Sequence, residues 1–277
     1  MTISKPDFIV VGAMKAGSST LSFHLGNHSH IAIPQKEVHF FDRDKNYEKG
    51  TQWYSKVLSG ELNASTLLIG EKTPTYCYLP KVAARIYEHY PDVKLVWIFR
   101  NPIKRAYSNY WHAYKNGFDL LSFKEAVKQE PERIKQDIRY GYLERSKYAS
   151  QIQHYLSFFP KEQMYFLLFE DLIKSPIEEM DKVFDFLNIA KDGFVLKKDL
   201  KNPTLIPRWL YPLYLTRKLT GPHNVLFKVL KKILTIGVKP GYPPLSKELE
   251  DKLLDYFHAS NLELQSLIEK DLSIWGK

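Results

Sequence analysis

Short apolar runs alternate with longer stretches of helical periodicity along this chain. Each run has three to five residues and is rich in Val, Ile, Leu or aromatic residues, which is typical of strands buried on both faces. The strand candidates are residues 8–11, 67–69, 95–99 and 165–169. Apolar residues three and four positions apart predict helices at about 18–28, 80–90, 103–116, 122–129, 147–158 and 176–187.

This alternation predicts an α/β fold. We expect a P-loop-like, three-layer arrangement in which helices cover both faces of a central parallel sheet. The length of 277 residues suits one large domain, and we predict a single domain over residues 1–277. Ligands of such sheets bind beyond the carboxyl ends of the strands. The segments that follow the strand candidates are therefore where functional residues are expected.

Prolines, glycines and basic residues interrupt the pattern between about residues 192 and 244. The basic side chains there are Arg208, Arg217, Lys218, Lys228, Lys231 and Lys232. This composition fits a lid over a site, a patch that contacts a membrane surface, or a solvated connection. Helical periodicity returns at 246–270, where Leu249, Leu253, Leu254 and Phe257 share one stripe.

Composition and charge narrow the class of protein. Hydrophobic residues make up 44% of the chain, which is enough for a substantial core. The chain has 40 Lys and Arg against 31 Asp and Glu, a formal net charge of +9. This balance favours an anionic ligand such as a nucleotide, a nucleic acid or an acidic membrane, although simple solubility also explains it.

Cysteine usage and the first residues predict the compartment. Cys77 is the only cysteine, so an intrachain disulfide is excluded and a secreted disulfide scaffold with it. The apolar run at the N-terminus is short and ends at Lys15, unlike a signal peptide. We therefore expect a cytoplasmic protein.

The first strand candidate leads into a glycine-containing loop, V-V-G-A-M-K-A-G-S-S-T-L at 10–21. Gly12 and Gly17 have the spacing of a phosphate-binding P-loop, but Lys15 lies inside the loop and Ser18 stands where that motif has its lysine. Backbone N–H groups at the start of a helix bind anions. Candidate phosphate ligands are Lys15, Ala16, Gly17, Ser18, Ser19 and Thr20.

The loop does not favour hydrolysis of a nucleoside triphosphate. No Asp ends an apolar strand candidate as a second magnesium ligand would, and Glu71 and Glu170 are the nearest carboxylates. The pattern K-x-G-S-S-T after the first strand instead resembles the 5′-phosphosulfate loop of sulfotransferases that use 3′-phosphoadenosine 5′-phosphosulfate (PAPS). Taken alone, a glycine-containing turn between a strand and a helix is common.

A second motif follows the strand candidate 95–99. Arg100 ends the strand in R-N-P-I-K-R-A-Y-S, and Ser108 lies about two turns into the next helix. Taken singly, Arg100 also fits a salt bridge and Ser108 a helix surface. Together they resemble the family's 3′-phosphate motif, R-[DN]-P-x-x-R-x-x-S, in which an arginine fork and a hydroxyl hold one phosphate.

A third motif is Q-K-E-V-H-F-F-D at 35–42. A carboxylate with neighbouring Lys and His side chains is typical of a general base with a shifted pKa. The motif resembles K-E-x-H-F-F-D of heparan-sulfate-type and related bacterial sulfotransferases. The resemblance implies that Glu37 deprotonates the acceptor, with Lys36 and His39 lining the site, although His39 also fits a supporting role.

The resemblance extends over nearly the whole chain, through E-K-T-P at 71–74 and D-L-S-I-W at 271–275. It places Lys72 on the substrate side. The chain departs from the heparan-type pattern where those enzymes have a cysteine pair. In that region K-N-P-T-L-I-P-R-W at 201–209 resembles the bacterial version, with Arg208 as a phosphate or substrate contact.

The resemblance implies a bacterial, PAPS-dependent sulfotransferase that moves a sulfuryl group to a hydroxyl or amine without a metal. The acceptor is left open among small-molecule, lipid-like, saccharide and carrier-tethered compounds. Two alternatives come from the residues themselves: a P-loop kinase that needs ATP and Mg²⁺, and a basic protein that binds nucleic acid or membrane. We expect no nucleic-acid partner, because basic and aromatic residues do not alternate on a recognisable nucleic-acid fold, whereas peripheral membrane contact stays open.

Overall fold

The computed structural model describes residues 4–197 and 205–276. In chain order its strands are β1 Phe8–Gly12, β2 Ile31–Ala32, β3 Leu68–Lys72, β4 Lys94–Phe99 and β5 Met164–Leu168. The first helices are α1 Ser18–Leu25, α2 Asp44–Tyr47, α3 Gly50–Ser59, α4 Pro80–His89, α5 Pro102–Tyr114, α6 Phe123–Lys128 and α7 Glu130–Gln136. They are followed by α8 Tyr148–Leu156, α9 Phe169–Lys174, α10 Pro176–Leu187, α11 Leu210–Thr220, α12 Val225–Leu234 and α13 Lys247–Ile268.

The described residues divide into two compact units. The first comprises residues 4–100, 148–197 and 263–271, and the second comprises residues 101–147, 205–262 and 272–276. The sheet lies in the first unit. This division does not test the single-domain prediction for residues 1–277, which stays a prediction.

The strands form a parallel sheet in the order β2-β3-β1-β4-β5. β1 lies at the centre, with Val10 opposite Lys72 of β3 on one side and opposite Val96 of β4 on the other. The chain builds one side of β1 first and then crosses to the other side. This arrangement confirms the α/β expectation, and a sheet of this kind binds ligands at the crevice where the strand order reverses.

Burial explains why the apolar runs become strands. Every residue of β1 is buried, as are the last five residues of β4. Runs rich in β-branched and aromatic residues pack well when both faces of a sheet are covered. A core cluster that includes Val10, Leu21, Val96 and Phe184 joins β1 and β4 to α1 and α10.

In the second unit, α5 begins where the chain favours a helix start. The Asn101 side chain accepts hydrogen bonds from the backbone N–H groups of Ile103 and Lys104 at 3.0 and 3.1 Å, and Pro102 occupies the first helical position. Arg105 is buried, and its guanidinium donates to the Ser146 hydroxyl and the Tyr142 carbonyl. The second arginine of the R-N-P motif therefore supports the fold of this unit.

The basic segment predicted at 192–244 contains two helices, α11 and α12. The sequence pattern did not predict them, because prolines and glycines interrupt the helical periodicity. Pro212 lies in the first turn of α11, where a backbone N–H has no intrahelical partner to lose, and Gly221 ends that helix with a φ of 82°. Residues 198–204 of the segment lie outside the described residues. Its role as a lid stays a prediction.

Candidate functional site

The phosphate loop joins β1 to α1 and is shaped by Gly17. This residue has a φ of 101°, a left-handed conformation that favours glycine, and a Cβ at this position would lie 2.2 Å from the Phe169 ring. Gly17 also precedes α1 without a side chain that caps the helix. The start of α1 is therefore a place where backbone N–H groups can bind an anion.

Lys15 lies in the same loop in a left-handed conformation, with a φ of 69°. Its carbonyl oxygen accepts a hydrogen bond from the Arg100 guanidinium at 3.4 Å, and that guanidinium lies 5.1 Å from the centre of the Phe169 ring. The structure thus brings together two cationic residues predicted from separate motifs. Arg100 follows β4 and the loop follows β1, which are neighbouring strands of the sheet.

The remaining loop residues differ in exposure. Ala16 and Ser18 are buried, Ser19 is exposed, and Gly17 and Thr20 are half-buried. A small residue at position 16 leaves the backbone close to the core, whereas the hydroxyls of the first turn supply donors that a phosphate can accept. The described loop is therefore suited to a compact anion rather than to an apolar ligand.

A chain of charged side chains follows β2. The His39 Nε2 atom lies 3.2 Å from the Glu37 carboxylate, and the His39 Nδ1 atom lies 2.8 Å from the Asp42 carboxylate. Lys72, at the end of β3, approaches the other Glu37 oxygen at 3.5 Å. His39 has a φ of 55°, and this left-handed turn is what aims its ring between the two carboxylates.

The two carboxylates keep His39 protonated. Burial lowers the pKa of His39, but the hydrogen bonds to Asp42 and Glu37 outweigh it and raise the pKa to about 9. Burial raises the pKa of Glu37, yet the hydrogen bond from His39 and the charge of Lys72 together bring that pKa below its usual value. At neutral pH Glu37 is therefore an ionised carboxylate held by two cations, one of them an imidazolium with both nitrogens donating.

Glu71 is fully buried and binds the hydroxyls that hold the loop of His39. The hydroxyls of Thr73 and Tyr76 donate to one of its oxygens at 2.6 and 2.8 Å, and the Tyr54 hydroxyl donates to the other. Burial raises the pKa of Glu71 in spite of these hydrogen bonds. Three hydroxyls occupy this carboxylate, so its surroundings are those of a structural group rather than of a magnesium ligand.

The same hydroxyls hold the loop that carries His39. The Tyr76 hydroxyl accepts from the backbone N–H of Phe40 at 2.8 Å, and the Thr73 hydroxyl accepts from the backbone N–H of His39 at 3.3 Å. The Thr75 hydroxyl donates to Asp42 at 2.7 Å. Residues of the E-K-T-P-T-Y stretch therefore fix the position of the K-E-V-H-F-F-D stretch.

Sequence reasoning missed the residues that position the Glu37–His39 pair. Asp42 stands at the end of the quoted motif, three residues after His39, and this spacing was the available signal. Thr73, Thr75 and Tyr76 follow β3, and E-K-T-P at 71–74 includes Thr73, but no local spacing indicates their partners, which lie more than 30 residues away.

Three other predicted residues take no part in the hydrogen bonds given above. Lys36 is exposed. Ser108 is half-buried on α5, and Arg208 is exposed just before α11; both belong to the second unit. The backbone N–H of Arg208 donates to the Leu234 carbonyl at 3.1 Å. Their predicted contacts with donor or acceptor stay predictions.

The described residues contain neither a metal-ligand cluster nor a membrane-spanning helix. Residues 4–197 and 205–276 contain no group of three or more His, Cys, Asp or Glu side chains that could hold a metal ion. Over the same ranges, every helix is too short or too polar to cross a membrane.

We predict that Asp42→Asn lowers the pKa of His39 from about 9 toward the ordinary value of 6.5. The amide cannot stabilise the imidazolium as a carboxylate does. Because the folded-state pKa lies above the unfolded one, the stabilisation that protonated His39 provides is complete below pH 6.5 and is lost as the pH rises through about 9. The replacement should weaken this dependence.

NMR titration of the His39 ring measures the shift directly. Asp44→Asn is the matched control, since Asp44 is an exposed carboxylate that pairs with Lys81 and Arg85 instead. An Asp42→Asn protein in which His39 still titrates near pH 9 would show that Asp42 does not hold its charge.

Comparisons with known proteins agree with this geometry. Residues 5–202 match the family model described as the sulfotransferase domain. Heparan sulfate glucosamine 3-O-sulfotransferase 5 of Mus musculus is 27% identical over 272 residues, which are 97% of this chain and 73% of that protein. Heparan sulfate glucosamine 3-O-sulfotransferase 3B1 of Homo sapiens is 31% identical over 186 residues, which are 67% of this chain and 47% of that protein.

Solved structures give the same result. A sulfotransferase from Alicyclobacillus acidocaldarius has a TM-score of 0.75 at 27% identity, with 99% of this chain and 100% of that chain covered. A mouse sulfotransferase complexed with PAP has a TM-score of 0.51 at 14% identity, with 92% and 83% covered, which is a likeness of fold. The match over residues 5–202 places well over half of this chain within one family. The chain belongs to the PAPS-dependent sulfotransferase family, and it is an enzyme that transfers a sulfuryl group.

Proposed function

We propose that the protein transfers the sulfuryl group of PAPS to a hydroxyl or amine, with Glu37 as the general base and Lys15 at the donor's reacting phosphate. The observation that carries this proposal is the ionised Glu37 carboxylate, which is held by His39 and Lys72 at 3.2 and 3.5 Å. Glu37 follows β2 and its partner Lys72 ends β3, which is the neighbour of β1. Because the sheet is parallel, these residues and the phosphate loop follow strands that end at the same edge.

The phosphate loop supports binding of the donor's 5′-phosphate. The first turn of α1 is the start of a helix, where backbone N–H groups bind anions, and it carries the hydroxyls of Ser18, Ser19 and Thr20; Lys15 adds a positive charge. These donors fit a phosphate, which has several acceptor oxygens. Since Arg100 holds the Lys15 carbonyl, the shape of the loop and the position of that arginine depend on each other.

In the proposed reaction Glu37 takes the proton from the acceptor's O–H or N–H group. The freed lone pair of that oxygen or nitrogen forms a bond to sulfur, while the bond from sulfur to the phosphate oxygen of PAPS breaks. The departing 3′-phosphoadenosine 5′-phosphate (PAP) takes up the electrons of that bond, and Lys15 stabilises the growing negative charge. As in phosphoryl transfer, positioning and charge stabilisation supply most of the rate increase.

His39 and Lys72 position the base in this scheme. With Nδ1 donating to Asp42 and Nε2 donating to Glu37, the imidazolium keeps one carboxylate oxygen of Glu37 in place. Lys72 fixes the other oxygen, and the family resemblance puts its charge on the substrate side. Both cations keep Glu37 ionised at neutral pH, which is the state that can accept a proton.

The acceptor belongs to one of four classes: small molecules, lipid-like compounds, saccharides and carrier-tethered hydroxyls. Two relatives are named for heparan sulfate glucosamine, which supports testing glucosamine-containing saccharides first. That the protein is bacterial, works in the cytoplasm and needs no metal stays a prediction. For Ser108 and Arg208, contact with the donor rests on the motifs alone.

An assay with ³⁵S-labelled PAPS and representatives of the four acceptor classes tests the function. We expect label in at least one acceptor, formed together with PAP. The kinase alternative is tested in parallel with γ-labelled ATP and Mg²⁺. Phosphoryl transfer from ATP without sulfuryl transfer from PAPS would contradict the proposal.

We predict that Arg100→Ala weakens PAP binding by about 10- to 100-fold, because a charged hydrogen bond to a phosphate contributes about 1.5–3 kcal/mol. Adenosine 5′-phosphate lacks the 3′-phosphate and should lose much less affinity. Calorimetry with both nucleotides measures the difference. Lys56→Ala, at an exposed position of α3, is the control that removes a charge from the same unit. Equal losses for the two nucleotides would remove Arg100 from the 3′-phosphate contact.

A further inference from the structure

Residues 205–246 carry an unusual charge. They contain seven Lys and Arg residues and no Asp or Glu, so they account for +7 of the chain's net charge of +9. The basic residues are Arg208, Arg217, Lys218, Lys228, Lys231, Lys232 and Lys239. Such a concentration of one sign on a short segment attracts an anionic partner.

The two helices of this segment also expose an apolar face. Residues spaced four apart lie on the same side of a helix. Such positions are exposed on both α11 and α12, and we call them together the apolar stripe: Tyr211, Leu215, Leu219, Val225, Val229 and Ile233. Leu219 and Val225 are 82% and 73% exposed, which is unusual for aliphatic side chains that line one face of a helix.

The stripe residues are exposed although the two helices have a hydrophobic core of their own. The opposite faces of α11 and α12 supply Leu213, Phe227 and Leu234, which are buried together with Leu230 packed against them. The helix pair is therefore packed on one side, and the apolar stripe is a second, outward hydrophobic surface. Exposed apolar faces of this kind mark sites that contact another protein or a membrane.

Exposed lysines flank the apolar stripe: Lys218, Lys228 and Lys232 each lie three residues after one stripe position and one before the next. Two further basic residues lie on the inward side of the helices, half-buried. Arg217 donates to the Asn116 carbonyl at 3.2 Å, and Lys231 donates to the side-chain oxygen of Asn116. In the part of the chain that the structure describes, neither forms an ion pair within 4.0 Å. Burial, Lys115 and Arg217 all lower the pKa of Lys231, so the inward side of this segment also carries positive charges that repel one another.

We propose that α11 and α12 dock onto an anionic lipid surface, with the apolar stripe among the lipid chains and the basic side chains on headgroup phosphates. A helix pair with an aliphatic face and flanking Lys and Arg residues matches the requirements of such a surface. A second copy would carry the same charge of +7 and be repelled, and a nucleic acid has no surface for six apolar side chains. This inference is independent of the proposed function.

Flotation of the full chain with lipid vesicles tests the proposal. We expect binding to phosphatidylcholine vesicles that contain phosphatidylglycerol, weaker binding at high salt, and little binding to pure phosphatidylcholine. The double change Lys228→Gln and Lys232→Gln should lower the affinity by roughly 25-fold, at about five-fold for each Lys. The double change Leu219→Ser and Val225→Ser should lower it by about ten-fold or more.

Control changes remove similar groups from the first unit. Leu67→Ser replaces an aliphatic side chain that is 68% exposed, and the pair Lys45→Gln and Lys56→Gln removes two exposed charges. Both controls should bind vesicles like the unchanged protein. Calorimetry with PAP checks that every variant retains its donor site.

Four results would overturn the inference. They are absence of binding to anionic vesicles, equal binding to neutral ones, unchanged binding by the stripe variant, and equal losses in the controls. Sedimentation velocity identifies the alternative occupant, since a dimer that Leu219→Ser and Val225→Ser dissociate would assign the apolar stripe to a second copy. Binding to DNA that survives loss of the stripe would assign the charges to nucleic acid.

Discussion

Replacing Glu37 with glutamine lowers kcat for sulfuryl transfer by about 10²- to 10⁴-fold, the usual contribution of a general base. Glutamine keeps the size and one acceptor oxygen of the side chain, so Lys72 retains a partner, but the amide cannot take the acceptor's proton. Glu37 is partly exposed at its side chain, so the change should not unfold the protein. Turnover of labelled PAPS, with the acceptor found in the screen, measures the effect.

Glu61→Gln is the matched control, because Glu61 is an exposed carboxylate of the same unit in the loop after α3. It should turn over like the unchanged enzyme. Binding of PAP should survive in both variants, since the base is not a proposed donor contact. A Glu37→Gln enzyme with near-normal kcat would assign proton removal to another group.

Replacing Lys15 with alanine lowers kcat by about 10²- to 10³-fold, the range found when one group that stabilises transition-state charge is removed. We expect the affinity for PAP to fall by a smaller factor, about ten-fold, because the N–H groups at the start of α1 still bind the phosphate. Separate measurement of kcat and KM divides the two contributions.

The backbone at position 15 makes this substitution interpretable. Lys15 has a φ of 69°, and alanine meets the same steric penalty there as lysine, since both carry a Cβ. Lys56→Ala removes an exposed lysine of α3 and should leave kcat and KM unchanged. If Lys15→Ala raised KM alone, the lysine would bind the donor in the ground state without lowering the barrier.

Patterns in the sequence predicted the strands that are buried on both faces and the helices that are buried along one stripe. β1, β4, β5 and α10 lie where the apolar runs and helical spacing indicated, because burial on both faces or along one stripe imposes a regular pattern. The predicted parallel sheet placed functional residues after its strands, and the contact between the Arg100 guanidinium and the Lys15 carbonyl agrees with that expectation. These are consequences of local pattern combined with parallel topology.

Other features depended on tertiary contacts that no local pattern carries. β2 has two residues, too few for a periodicity, and is a strand because it pairs with Leu68 and Ile69 of β3. Glu71 was only the nearest carboxylate to the position of a second magnesium ligand, and its role as a buried acceptor for the hydroxyls of Tyr54, Thr73 and Tyr76 had no sequence signal. The ring of His39 is positioned by Asp42 on its own loop and by hydroxyls that follow β3.

The prolines and glycines of the 192–244 segment were interpreted as interruptions of the chain. In α11 they set the bounds of a helix instead, with Pro212 in the first turn and Gly221 at the end. The sequence does not tell which of the apolar residues around them are buried. Their exposure became visible only once Leu213 and Phe227 were known to face inward.

Titration calorimetry of PAP against ATP with Mg²⁺ tests the central claim most directly, because it asks which nucleotide the phosphate loop binds. We predict that the unchanged enzyme and Glu37→Gln bind PAP with the same affinity and at least about ten-fold more tightly than ATP with Mg²⁺, since ATP has no 3′-phosphate. Lys15→Ala should bind PAP more weakly. Tighter, Mg²⁺-dependent binding of ATP would contradict the assignment of this site to PAPS.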